Sequence, residues 1–264
     1  MNDKMNTLIT VNLDAESIWS GMLGATEERP KTLSMGGYGI KRGLDRVLAV
    51  LKEHEVKSTF FVPGIVAQMH PEAIEKILDG GHEIAMKGHT HRAMHTLSDE
   101  EIREEFEKAT EVLTACCGSR PIGFRAPEGE VTEMVFTAAK EAGYLYSSSL
   151  YDNDMPYQRK GLLEIPMNWD IHDFPYFAFN YGPSYPIGQS RVASYKRVEE
   201  NYIEEMDAYD YYKITYVAQF TPQSIGSPGK IMIMKHVLEH METIRDHMDV
   251  LTCAELYEKY RRKI

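Results

Sequence analysis

Seven short runs rich in β-branched and aromatic residues recur along the chain, and this recurrence constrains the fold more than any other feature. They are "TLITVNLD" (7–14), "STFFVPG" (58–64), "HEIAM" (82–86), "IGFRAP" (122–127), "YLYSSSL" (144–150), "LLEIPMNW" (162–169) and "ITYVAQF" (214–220). Each reads as a strand. Most are separated by stretches whose apolar residues recur at i, i+3, i+4 and i+7, as Leu44, Val47, Leu48 and Leu51 do in 39–55. Helices are predicted there and over 71–81, 98–117, 132–143, 194–212, 229–244 and 253–262. The third is the clearest: Ser98 and Glu101 form a capping box and Gly118 supplies the stop. Strands alternating with helices imply parallel βαβ units, and about seven of them favour a (β/α) barrel over an open sheet, as one domain over 1–264.

In such a barrel chemistry gathers where strands end at the carboxyl face, so the polar residues there are the ones to weigh. "NLDAE" spaces Asn12, Asp14 and Glu16 at alternate positions, which an extended backbone turns to one side. Two such carboxylates can divide into an acid and a base, or hold a cation. "GHEIAMKGHTHRAMH" (81–95) carries four histidines, with His89 and His91 again alternating. Neutral imidazoles suit zinc, but Lys87 stands two residues before His89, and an ammonium repels a divalent cation. Arg125 and Glu128 follow the fourth strand. A rival motif, "HVLEH" (236–240), has the H-x-x-E-H spacing of a zinc peptidase group. Met234, Val237, Leu238 and Met241 define the buried stripe of that helix, so His236 and His240 are predicted on its solvent side. Asp152, Asp154, His172 and Asp173 lie among aromatics, Trp169 included, in "YDNDMPY" and "NWDIHDFPYFAFNYGPSYP", a composition that suits a pocket wall or loop packing.

Composition narrows the partners. Forty acidic against 29 basic residues give a net charge of -11, which argues against nucleic acid. No run of membrane-spanning or signal-peptide length is present, so no membrane partner and a cytoplasmic location are expected. Cys116 and Cys117 are adjacent and Cys253 is remote, which reads as a reducing compartment.

The segments "TVNLDAE", "STFFVPG", "GHEIAMKGHTH", "TLSDEE", "RPIGFRAPEGE", "AGYLYSSSLYDNDMPY" and "LLEIPMNW" occur in the order and spacing of the polysaccharide deacetylase family. The chain most resembles its single-domain cytoplasmic branch, which includes peptidoglycan-deacetylase-like proteins, metal-independent allantoinases and cyclic imide hydrolases. The resemblance implies an irregular (β/α) barrel of about seven strands and hydrolysis of a non-peptide carbon–nitrogen bond. Metal-dependent members place a base aspartate where Asn12 stands and a ligand aspartate at Asp14. They have ligand histidines at the positions of Lys87 and His91, an arginine at Arg125, and an acid histidine where "QFTPQ" offers Thr221. Ligands Asp14 and His91 are thus retained, while a base, a ligand and an acid are replaced.

Three readings follow from the resemblance. In the first, no cofactor is needed: Lys87 presents its own charge to an oxyanion, Asp14 or Glu16 activates water, His91 moves a proton and Arg125 supports the site. Asn12, His89, Glu128, Asp154, Trp169 and Thr221 are then expected to contact a small cyclic amide, ureide or N-acyl substrate. In the second, zinc or another divalent metal is held by Asp14, Glu16, His89 and His91 in an N-deacetylase. In the third, catalysis is lost and a sugar or ureide is only bound. The resemblance also implies a homo-oligomer.

Overall fold

A computed structural model describes residues 4–262 apart from Leu23, Thr26, Gly129 and 178–192; the part of the aromatic loop from 178 to 186 therefore lies outside the described residues. The seven expected strands form at Met5–Asn12 (β1), Thr59–Val62 (β2), Glu83–Met86 (β3), Gly123–Phe124 (β4), Tyr146–Ser147 (β5), Leu162–Glu164 (β7) and Thr215–Phe220 (β8). Two more, Tyr157–Arg159 (β6) and Met248–Val250 (β9), were not expected from the sequence. The order is β6-β7-β5-β4-β3-β2-β1-β8, with β9 beside the start of β1. All pairings are parallel except β6 with β7. The sheet curls into an irregular (β/α) barrel, and a parallel bridge between His172 and Gln219 ties the chain after β7 to β8.

Two-residue periodicity decides what the barrel encloses. Leu8, Phe61, Ala85, Tyr146, Leu163 and Val217 share one buried cluster with Cys253 and Leu256 of the last helix. Met5, Ile9, Val11, Phe60, Val62 and Met86, the alternate positions, pack with the helices instead. Counting two on from the interior residues reaches Thr10 and then Asn12 on the first strand, Lys87 after Ala85, Ser148 after Tyr146 and Gln219 after Val217. Apolar residues fill one end of the barrel, and polar ones its carboxyl end.

The helix Asp99–Cys117 has both capping-box bonds: Ser98 Oγ accepts from Glu101 N at 3.2 Å, Glu101 Oε2 accepts from Ser98 N at 2.9 Å, and Gly118 closes it at φ 69°. Ser98→Ala is expected to cost about 1 kcal/mol in urea denaturation, because the helix end loses its side-chain acceptor. On the helix Ile231–Thr243, Met234, Val237, Leu238 and Met241 are buried. His236 and His240 reach Glu199 and Asp207 on the helix Tyr195–Tyr212, each at 2.7 Å, and serve helix–helix contact. The free cysteines make no disulfide. Among the described residues no helix is long and apolar enough to cross a membrane.

Candidate active site

The Lys87 side chain runs inside the barrel and is buried along its whole length. Its ammonium donates to Asp14 Oδ1 at 2.8 Å and to Glu128 Oε1 at 2.6 Å. Burial alone would lower the pKa of this lysine; the charges of Asp14 and Glu128 outweigh it and hold the value above the ordinary one. An ammonium has three hydrogens, and these bonds use two.

His91 sits at φ 61°, a left-handed conformation that turns its ring back toward Asp14. The proton positions on this ring follow from its neighbours. Ser17 Oγ donates its only hydrogen to the Asp14 carbonyl at 2.5 Å, so at 2.8 Å from His91 Nδ1 it can only accept. Nδ1 therefore carries a hydrogen. His91 Nε2 lies 2.6 Å from Glu128 Oε2, and a bond between those two atoms needs one further proton. Glu128 is desolvated, which opposes its ionisation, yet Lys87 and His91 hold it well below the usual carboxylate range. Asp14 is shifted upward, because burial outweighs its attraction to Lys87.

Arg125 fixes the next layer. It stacks on Phe61 with its guanidinium carbon 4.0 Å from the ring centre, and donates to Asn12 Oδ1 at 3.0 Å, Thr10 Oγ1 at 3.2 Å, and the carbonyl and hydroxyl of Ser148, both at 2.9 Å. Above these groups opens a cavity of about 200 Å³, walled by Asn12, Lys87, Arg125, Glu128, His172 and Gln219, with Tyr151 and Phe174 at its sides. Counting Lys87, Arg125 and the His91–Glu128 proton against the two carboxylates leaves one surplus positive charge here. The aromatic setting of His172 suits either a pocket wall or loop packing, and the structure gives it the first of these. Its backbone bridge to Gln219 carries it into this wall, where Nε2 has no partner among the described residues and burial lowers its pKa to about 3.

The expected set divides. Asn12, Asp14, Lys87, His91, Arg125 and Glu128 converge. Glu16 does not join them: Ala15 adopts φ 47°, which breaks the alternation, and Glu16 pairs with His70 Nε2 at 3.0 Å. Burial opposes ionisation of Glu16, but the His70 bond prevails and its pKa is lowered. His89 likewise parts from His91, since Gly88 lies at φ 73° before it; its ring fills the space beside Gly64, where a Cβ would collide with it. His95 is exposed. The carbonyl of Asp154 accepts from Thr215 N at the start of β8, the opposite end of that strand from Gln219. Trp169 is 61% exposed and leans on Tyr151, and Thr221 is fully buried next to Asp173, outside the cavity wall.

Asp14, His91 and Glu128 bring donor atoms within 4.8 Å of one another and form a cluster that could hold a metal ion. In kind they suit a divalent cation, and the unpartnered Asp14 Oδ2 is one more acceptor. Lys87 decides against the fit, because its ammonium already bonds two of the three. A charge of +2 placed about 4 Å from that of +1 would be repelled by roughly 8 kcal/mol at an effective dielectric of about 20. With Lys87 in this position, the residues do not make a metal site.

The architecture is the polysaccharide deacetylase type of (β/α) barrel. Residues 36–147 match the family profile described as polysaccharide deacetylase. It is 24% identical to the peptidoglycan deacetylase of Helicobacter pylori, over 88% of each protein. A Mycobacterium smegmatis structure assigned to the polysaccharide deacetylases superposes with a TM-score of 0.93 at 28% identity, covering 99% of this chain and 92% of that one. The PuuE allantoinase shares the fold, with a TM-score of 0.82 at 20% identity over 98% of this chain and 90% of its own.

Proposed function

We propose that the protein hydrolyses a carbon–nitrogen amide bond in a small cyclic amide, ureide or N-acyl compound, with Lys87 supplying the fixed positive charge. The observation that carries this reading is the ammonium itself, buried at the cavity wall with one hydrogen uncommitted. A carbonyl oxygen placed against that hydrogen gains charge as water adds to the carbon, and a preoriented cation stabilises the developing oxyanion. Glu128 is the carboxylate that can meet the water: its side chain is 29% exposed, against 1% for Asp14. Each of its bonded oxygens keeps a second lone pair. It takes the proton of the attacking water and passes it to the leaving nitrogen as the C–N bond breaks, held in place by Lys87 and His91. Neutral His172 adds a ring nitrogen to the same wall. A cavity of about 200 Å³ suits a molecule of a dozen or so heavy atoms better than a polymer strand.

A second reading, a metal-dependent N-deacetylase, is favoured by the Asp14–His91–Glu128 cluster and requires Lys87 to swing away. Protein purified without chelator separates the two. Screened against hydantoins, ureides and N-acetyl compounds, it is expected to release amine or carbamoyl product at a rate unchanged by EDTA, with substoichiometric metal by elemental analysis. Stoichiometric zinc together with chelator-sensitive turnover would overturn the first reading in favour of the second. Absence of turnover across the screen would leave a binding protein.

A further inference from the structure

A second cavity, of about 370 Å³, adjoins the first, with Phe174 in the walls of both. Trp19, Tyr38 and Phe177 make its other aromatic sides. Its polar lining is Gln223, Ser224 and Lys230, together with the exposed Ser34 hydroxyl, which already donates to the Lys31 carbonyl. The amide of Gln223 is buried with neither its nitrogen nor its oxygen partnered among the described residues, and Ser224 Oγ is equally unpartnered there. Lys230 is half-buried, lies 5.0 Å over the ring of Phe177, and meets no carboxylate within ion-pair distance among the described residues. Burial keeps its pKa below the usual lysine value, against the pull of Asp173.

An ammonium, an amide and a hydroxyl left without partners beside aromatic walls are costly unless something satisfies them. Water can satisfy isolated groups; three donors on one side of a roomy cavity match the two oxygens of a carboxylate. Asp173 is set back from the wall behind Ser224. Its oxygens lie near the Thr221 and Ser224 hydroxyls without closing a hydrogen bond of normal geometry, and burial pushes its carboxyl up to about 7. It is therefore mostly uncharged in mild acid and leaves the Lys230 charge uncancelled.

We propose that this second cavity is a carboxylate subsite, so that the molecule whose amide enters the first cavity carries a carboxylate on its far side, joined by a short apolar linker that passes Phe174. The assignment rests on the amide reading of the first cavity and narrows its substrate class to N-acyl or ureido acids.

Binding can be read without hydrolysis. The chain has two tryptophans, so Trp169→Phe leaves Trp19, in the wall of the second cavity, as the lone indole. 4-Acetamidobutanoate and its neutral amide, 4-acetamidobutanamide, match in size and differ in charge. The acid is expected to quench Trp19 emission with a dissociation constant at least tenfold below that of the amide. Lys230→Met should bring the two within twofold, while Lys230→Arg keeps most of the preference; near-ultraviolet circular dichroism checks that each variant is folded. Equal affinities in the Trp169→Phe protein, no quenching by either compound, or an unchanged preference in Lys230→Met would each overturn the subsite. A protein that prefers the acid but cleaves no amide keeps the subsite and loses the hydrolase reading. One that cleaves both compounds with equal kcat/KM does the reverse.

Discussion

Replacing Lys87 by methionine is expected to lower kcat/KM on any hydrolysed substrate by about 10²–10³-fold, the usual loss when one preoriented oxyanion partner is removed. Methionine keeps much of the volume and removes the charge. The same change strips the Asp14 and Glu128 carboxylates of the cation that bonds both, at 2.8 and 2.6 Å, so a stability loss of about 3–5 kcal/mol should accompany it. The two effects can be parted. In the Lys87→Met, Asp14→Asn double variant one uncompensated charge is gone, and urea denaturation should show recovery of part of the lost stability. Turnover should stay low, because the oxyanion partner is still missing. Single-variant turnover within threefold of the parent would refute the role given to Lys87.

Why Lys87, Asp14 and His91 were legible in sequence while the true neighbourhood of Glu16 and His89 was not comes down to backbone conformation. Strand periodicity holds as far as β1 and β3 run, and it correctly aims Asn12 and Lys87 inward. Beyond those ends the chain turns through left-handed residues, Ala15 at φ 47° after the first strand and Gly88 and His91 at φ 73° and 61° after the third. Alternation fails at each such residue. Glycine at 88 is a visible warning, but alanine at 15 carries none. The helices were legible because their caps and apolar stripes are local. The strands β6 and β9 were not: three residues apiece, partly exposed, they owe their pairing to β7 and β1 rather than to a pattern of their own.

His172 and Ser17 illustrate a different limit. The aromatic setting of His172 leaves pocket wall and loop packing equally open; a bridge to Gln219, forty-seven positions on, is what carries it to the cavity. Ser17 fixes the hydrogen on His91 Nδ1 only because a carbonyl three residues back claims its own hydrogen. Such assignments are properties of three-dimensional hydrogen-bond accounting. The resemblance to the deacetylases aligned the positions where Asn12, Lys87 and Thr221 stand, and the structure adds that Thr221 borders Asp173 rather than the cavity.

The adjacent pair His172 and Asp173 should leave opposed signatures in the pH dependence of stability. Burial pushes Asp173 from 3.8 up to about 7 and His172 from 6.5 down to about 3. Between about pH 4 and 7 the unfolded chain has released the Asp173 proton and the folded chain keeps it, so this group lowers stability as pH rises, by about 1.4 kcal/mol per unit. Between about pH 3 and 6.5 the unfolded chain binds a proton on His172 that the folded chain refuses, so this group raises stability with pH at about the same slope. The two nearly cancel from pH 4 to 6.5, and single substitutions should expose each. Relative to the parent, Asp173→Asn is expected to gain stability as pH rises from 4 to 7, by up to about 4 kcal/mol across the window. His172→Phe should gain as pH falls from 6.5 to 4, by up to about 3 kcal/mol. Every other titrating group is common to parent and variant and drops out of the difference, so urea denaturation at half-unit pH steps reads each group alone. Difference curves that run flat across these windows would mean that the carboxyl and the imidazole titrate as they do in water, and that neither is buried as described.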